Sequence, residues 1–284
     1  PVVWETMSTS PFDALFPAAP TPSSSLPGFV PPPDPLDDEA MPDTDWPEVA
    51  AIPGGGIGLD AEEIVAGLNA NQRDAVEHRG APLLVTAGAG SGKTRVLTRR
   101  IAYLLATHQA RASEILAITF TNKAAAEMQE RVRALVGDEA RFMQVSTFHS
   151  LCVRILRRHH EAAGLRSTFS IYDAADSQRL MTMVAEELNI DVKRTNVRTL
   201  TNRVSDLKNE LVGPEEYAQR PHKDPVSKAV AQIYPVYQRR LAEANALDFD
   251  DLIMSSVLLL RNNPAVAEHY HRRFRHILVD EYQD

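Results

Sequence analysis

The sequence is poor in cysteine. Cys152 stands alone among 284 residues, which excludes a disulfide framework and any four-cysteine metal cage. Long apolar runs are missing too. None approaches the roughly 20 residues that a membrane span requires, and no basic-then-apolar leader opens the chain. The expectation is a reducing, cytoplasmic setting with no membrane partner. Basic residues are missing from one region only: residues 1–58 hold no Lys or Arg but nine Asp and Glu. Of 38 acidic residues, 29 are left for the remainder, against all 30 Lys and Arg. The formal net charge of −8 therefore resides at one end, and it does not exclude a nucleic-acid partner for a nearly neutral body.

The same 58 residues contain 13 of the 19 prolines and run into Gly54-Gly55-Gly56. Nothing in them repeats at a helical or strand period. Such a stretch cannot bury enough apolar surface to offset the entropy of ordering it, so a disordered acidic, Pro-rich tail is expected. Trp4, Phe12, Leu15, Phe16 and Trp46 are scattered through it. Two readings stand: a solvated spacer, or an acidic-hydrophobic peptide that docks on a protein partner and folds there.

From residue 59 the pattern changes. Leu83-Leu84-Val85, Ile115–Phe120, Met143–Phe148 and Ile277–Asp280 are short apolar runs that read as buried strands. Between them, Val96, Leu97, Ile101, Leu104 and Leu105, and then Met128, Val132, Leu135 and Val136, recur at helical spacing. Strands alternating with amphipathic helices predict an α/β fold with a parallel sheet. Between 169 and 247 the strand signal vanishes. Leu200, Val204, Leu207 and Leu211 mark one helix there, and Val230, Ile233, Tyr237 and Leu241 mark another, with Pro235 expected to kink it. Asp173 reads as the N-cap of a third. The expected organisation is a tail at 1–58, an α/β domain at 59–168, a helical insertion at 169–247, and the α/β domain resumed at 248–284.

Residues 84–94 read Leu-Val-Thr-Ala-Gly-Ala-Gly-Ser-Gly-Lys-Thr. An apolar run feeds a turn of Ala87, Gly88, Ala89, Gly90, Ser91 and Gly92, and Lys93 and Thr94 open a helix. Glycines let backbone N–H groups wrap a polyphosphate without Cβ clashes, and the helix N-terminus adds partial positive charge. Lys93 suits the β/γ oxygens and the Thr94 hydroxyl suits Mg²⁺. Ala87 stands where the usual pattern has glycine, and it is small enough for the turn. A bound triphosphate also needs an acid for the metal and a group to activate water. Asp280 and Glu281, at the end of the last apolar run, supply them: Asp280 for Mg²⁺, Glu281 to polarise the attacking water. From Lys93 to Asp280 is 187 positions, far more than a compact nucleotide domain needs, which independently favours an insertion.

Taken together these residues resemble the first part of the UvrD/Rep/PcrA-type superfamily-1 DNA helicases. The resemblance runs from about residue 60 to 284, through Leu68–Arg73, Ala87–Arg95, Thr119–Met128, Ser146–Ser150, Leu247–Leu252 and Asp280-Glu281-Tyr282-Gln283-Asp284, in the family's order. It implies a RecA-like P-loop motor domain carrying a helical insertion, using ATP and Mg²⁺. Gln72 would read adenine and Arg95 would approach the nucleotide. Phe120, Thr121 and Asn122, with Thr147, Phe148 and His149, would line a track for single-stranded DNA. Their chemistry suits it, with hydroxyls and amides for phosphates and aromatic faces for unstacked bases. Gln283 would link the γ-phosphate state to DNA contact. The resemblance also implies 3′→5′ movement on single strands and at single-strand/duplex junctions.

Alternative roles remain for several of these residues. Phe120 and Phe148 also suit a core. Asp248, Asp250 and Asp251 look like a metal cluster but better suit helix capping, because Leu252, Ile253, Val257 and Leu260 follow at helical spacing. His149 with Cys152 is at most half a metal site, and His159, His160, His269, His271 and His276 read as solvated. Because the chain starts at Pro1 and stops inside a motif, a fragment lacking the second motor half and its arginine finger is expected, nearly inactive alone. Three functions compete: a repair or replication helicase, the motor of a helicase–nuclease complex, and a non-hydrolysing, ATP-switched DNA-binding module. The water-activating position of Glu281 counts against the last.

Overall fold

In a computed structural model the described residues are 60–88, 90–191 and 195–282. The expected tail at 1–58, Ala89 and Gln283 lie outside them. Helices α1 (Ala61–Val65), α2 (Ala70–Glu77) and α3 (Lys93–Ala106) come first. Strand β1 (Ile115–Thr119), helix α4 (Asn122–Val136), strand β2 (Gln144–Thr147) and helix α5 (Phe148–Arg158) follow. Strand β3 (Ser170–Tyr172) leads into helices α6 (Ala174–Glu187), α7 (Val197–Asn209), α8 (Pro214–Gln219) and α9 (Pro225–Glu243). Strand β4 (Ala246–Asp248), helices α10 (Phe249–Asn262) and α11 (Pro264–Arg273), and strand β5 (His276–Val279) come last. The chain forms two compact units, one of 60–151 with 267–282 and the other of 152–266.

The first unit is built on a three-stranded parallel sheet in the order β2-β1-β5. Leu116 stands opposite Gln144 on one side and Ile277 on the other. As the central strand, β1 is buried along its whole length, as an all-apolar run flanked on both edges demands. Ile115 and Ala117 pack against Ile101, Leu104 and Leu105 of α3 and Met128, Val132 and Val136 of α4. Each fully buried Leu or Ile there contributes about 1.5–3 kcal/mol. Arg100 fastens α2 onto α3 by donating to the carbonyls of Val76 and His78 at 2.9 and 2.8 Å, a cationic cap on a helix C-terminus. Burial pushes the Arg100 pKa down.

Residues 83–85 do not form the expected strand. They carry no ladder, and Leu83, Leu84 and Val85 are 47%, 68% and 42% exposed. A strand needs a neighbour to satisfy its backbone. The described sheet stops at β5, whose Ile277 is itself exposed, so this apolar run stays an irregular connection into the glycine turn.

The second unit is mostly helical. Met181 and Val184 of α6, Leu200, Val204 and Leu207 of α7, and Val230, Ile233, Tyr234 and Tyr237 of α9 share one core. Asp173 caps α6 by accepting from the Asp176 N–H at 2.8 Å. Helix α9 continues unbroken through Pro235. Leu211 lies past the end of α7 with a positive φ, and Val212 takes the buried place instead. Strand is present where the sequence shows no signal for it: Ser170, Ile171 and Tyr172 pair in parallel with Ala246, Leu247 and Asp248. Three residues are too few for alternation to be read. Among the described residues no helix is long and apolar enough to cross a membrane.

Candidate nucleotide site and nucleic-acid interface

The site begins at α2. Asn69 and Gln72 form a capping box: Asn69 accepts from the Gln72 N–H at 2.9 Å, and the Gln72 side chain accepts from the Asn69 N–H at 3.1 Å. The same Gln72 donates from Nε2 to the carbonyl of Ser91 at 2.9 Å. Arg95 is exposed and turns to the carbonyl of Gly67 at 3.3 Å, so in this structure it braces the turn before α2.

The turn itself depends on two left-handed glycines, Gly90 at φ 74° and Gly92 at φ 89°. Gly92 is the N-cap of α3, and no side chain caps that helix. Its first N–H groups and its dipole are thereby left facing the turn, the arrangement that receives phosphate. Lys93 reaches back over the turn and donates to the Ala87 carbonyl at 3.0 Å.

Asp280 continues β5 by one bond, its N–H donating to the Ile118 carbonyl at 2.8 Å. Its carboxylate is nearly buried and holds two partners. The Thr94 hydroxyl donates to Oδ2 at 3.2 Å, and the Glu281 N–H donates to Oδ1 at 3.2 Å. Glu281 adopts φ 52°, a left-handed conformation that costs a non-glycine residue roughly 1–2 kcal/mol. That turn ends the strand abruptly beside the Asp280 carboxylate. The donor set fits Mg²⁺. Two oxygens each about 2.1 Å from an octahedral ion lie about 3 Å apart along an edge, close to the observed Thr94–Asp280 separation. Among the described residues no group of three or more His, Cys, Asp or Glu converges. Mg²⁺ is commonly held by one or two carboxylates plus substrate phosphates.

The nucleic-acid candidates lie at the carboxyl ends of adjacent strands. Thr119 and Thr147 are register partners, so Phe120 and Phe148 each follow a paired position on strands roughly 4.8 Å apart. They are 62% and 42% exposed, which removes the core reading and leaves two aromatic faces open. Thr121 is exposed and caps α4, its hydroxyl accepting from the Ala124 N–H at 3.1 Å. Asn122 begins that helix, also exposed. Thr147 differs: it is buried, and its hydroxyl bonds Ser150 at 2.9 Å. That hydroxyl starts α5. His149 is half-buried on its first turn.

Sequence reasoning missed Lys208. In the helical unit its ammonium is fully buried and meets Asp248 at 2.6 Å and Asp251 at 2.8 Å. Asp248 and Asp251 cap α10 reciprocally, Tyr237 donates its hydroxyl to Asp248 at 2.9 Å, and Gln238 donates to Asp251 at 3.0 Å. The acids thus act in capping, as expected, and additionally as an ion-paired cluster. Lys208 lies four positions after Val204, on the apolar stripe, which was the available signal. Burial raises the Asp251 pKa to about 7, with the Asp248 charge adding to the rise. The two carboxylates keep the Lys208 ammonium charged despite its burial. Burial also pushes the Cys152 thiol up, as an inert core cysteine requires.

Residues 68–284 match the model of the UvrD/REP helicase N-terminal domain. The chain is similar to the ATP-dependent DNA helicase UvrD1 of Mycobacterium tuberculosis (strain ATCC 25618 / H37Rv). The two are 58% identical over 229 residues, which is 79% of this chain and 29% of that protein. It is also similar to the ATP-dependent DNA helicase PcrA of Staphylococcus epidermidis (strain ATCC 12228 / FDA PCI 1200), at 50% over 221 residues, 78% of this chain and 30% of that protein. The chain therefore spans under a third of the length of these relatives.

Proposed function

The chain belongs to the UvrD/REP helicase N-terminal domain family, and from that premise we propose that it is the ATP-binding portion of a DNA motor. The reading is an ATP-dependent helicase that binds ATP-Mg²⁺ and single-stranded DNA and moves 3′→5′. It opens duplex at junctions in repair or replication. The stretch 169–247 is read as an insertion into a RecA-like domain.

One observation carries this reading: the Thr94 hydroxyl and the Asp280 carboxylate lie 3.2 Å apart, although 186 positions separate them, beside an uncapped helix N-terminus. In the proposed reaction the N–H groups of the glycine turn and of α3 bind the phosphates, and the Lys93 ammonium neutralises the β/γ oxygens. Thr94 and Asp280 would hold the metal, which would supply positive charge against the transferring phosphoryl group. Glu281 accepts the proton of the attacking water. Gln72 and Arg95 approach the nucleotide from α2 and α3, and Gln283 links its state to DNA. Phe120 and Phe148 stack unpaired bases, with Thr121, Asn122 and His149 along the backbone, while the buried Thr147 sets the start of the helix that carries Phe148 and His149. DNA-stimulated ATP hydrolysis and strand separation by the intact protein test the reading. Hydrolysis indifferent to DNA, or none at all, refutes it.

A further inference from the structure

Gln72 does more than sit near a nucleotide. Its side-chain oxygen is engaged by the Asn69 N–H at 3.1 Å, and its Nε2 donates to the Ser91 carbonyl at 2.9 Å. Ser91 immediately precedes Gly92, whose left-handed backbone starts α3. The contact is close-fitting: a Cβ at Gly92 would stand 3.1 Å from Gln72 Nε2. Next to Gln72 on α2, the exposed Arg73 pairs with Glu77 inside the helix at 2.9 Å and with Glu62 of α1 at 3.1 Å, surface contacts of small energetic weight.

A carboxamide has two N–H donors and an oxygen with two lone pairs. The bonds to Asn69 and Ser91 use one of each, so one donor and one lone pair are left for a purine edge. We propose that Gln72 is a positioning residue for the phosphate loop: its bond to the Ser91 carbonyl fixes the turn that presents backbone N–H groups to phosphate, whatever base is attached. The inference rests on the proposed reading of 87–94 as a triphosphate site, and deepens it. Base recognition and loop geometry then share one side chain, and an adenine that immobilises Gln72 also steadies the turn. Preorganised donors bind an anion more tightly than donors that must be ordered on binding.

A ligand without a base separates this role from base reading. Binding of Mg²⁺-tripolyphosphate and of Mg²⁺-ATP to the intact protein is to be measured by titration calorimetry, with wild type, Gln72→Glu and Arg73→Ala. Gln72→Glu keeps the acceptor for the Asn69 N–H, so α2 keeps its cap, but it loses the donor to Ser91. Because its added negative charge would itself repel phosphate, the uncharged Gln72→Met is measured beside it and must show the same loss. The expected result is at least a fivefold loss of tripolyphosphate affinity, with Arg73→Ala within twofold of wild type. Loss of ATP affinity with tripolyphosphate unchanged would make Gln72 a base reader only and overturn the proposal. An equal loss in Arg73→Ala would mean general loosening of the helix and overturn it too. Failure of the wild type to bind either ligand would instead sink the triphosphate-site reading beneath it.

Discussion

Lys93 and Thr94 stand next to each other and do different work. Lys93 is a point charge drawn back over the turn to the Ala87 carbonyl, whereas Thr94 is tied to Asp280. Lys93→Ala should abolish ATP hydrolysis in the intact protein and leave single-strand affinity within about threefold, since its bond is to the glycine turn at Ala87. Parallel loss of both in filter-binding and phosphate-release assays would assign Lys93 to the fold instead. Phe120→Ala or Phe148→Ala should cost roughly 1–3 kcal/mol of single-strand affinity, the worth of a base stacked on an aromatic ring. With both rings exposed, thermal stability should hardly change. The sequence singled these residues out because phosphate and base chemistry restrict the side chains that can serve, and the structure brings Thr94 to Asp280 and leaves both rings exposed. The hydroxyl of Thr147 and the reach of Gln72 to Ser91 were not legible, because each depends on which backbone group lies opposite in the folded chain.

At the scale of elements, the longer apolar runs were readable and the rest was not. Strands β1, β2 and β5 follow from the apolar runs, but only β1 is buried throughout; β2 is half-buried, and the edge strand β5, expected to be buried, leaves Ile277 exposed. Strands β3 and β4 pair across 70 and more positions and have three residues each, so no local pattern announces them. Residues 83–85 show the converse, a strand-like composition without a strand. The start of α10 combines a capping box with an ion pair, and the two can be separated. Asp248→Asn keeps an N-cap of similar quality but leaves Lys208 with one carboxylate. Lys208→Met should destabilise by about 3–5 kcal/mol in denaturant unfolding, because it leaves two buried carboxylates without a cation. Replacing Lys208, Asp248 and Asp251 together by apolar residues should recover much of that loss. If Lys208→Met unfolds at the wild-type denaturant concentration, the pair has no energetic role.

For the molecule as a whole, the same cluster sets a pH dependence. One ammonium cannot neutralise two carboxylates, and Asp251 titrates at about 7 in the folded chain against roughly 4 when unfolded. Between those values the folded state holds a proton that the unfolded state has released. The stability linked to that proton is full below about pH 4 and falls as pH rises, until it is gone above about 7. Unfolding free energy should therefore decline from pH 5 to 7.5, and Asp251→Asn should flatten the decline. An identical slope in the variant would show that other groups cause it.

Strand β1 waits longest for its second neighbour. It pairs on one side with β2, a short way along the chain, and on the other with β5, whose His276 lies opposite Ile115. The acid that meets Thr94 follows directly after β5. On a ribosome, then, the glycine turn emerges early and the carboxylate it depends on emerges only after the whole helical unit has been made, since domains form in order of synthesis. A nascent chain halted before residue 276 therefore lacks both the second neighbour of β1 and the carboxylate that meets Thr94, however completely its helical unit has formed.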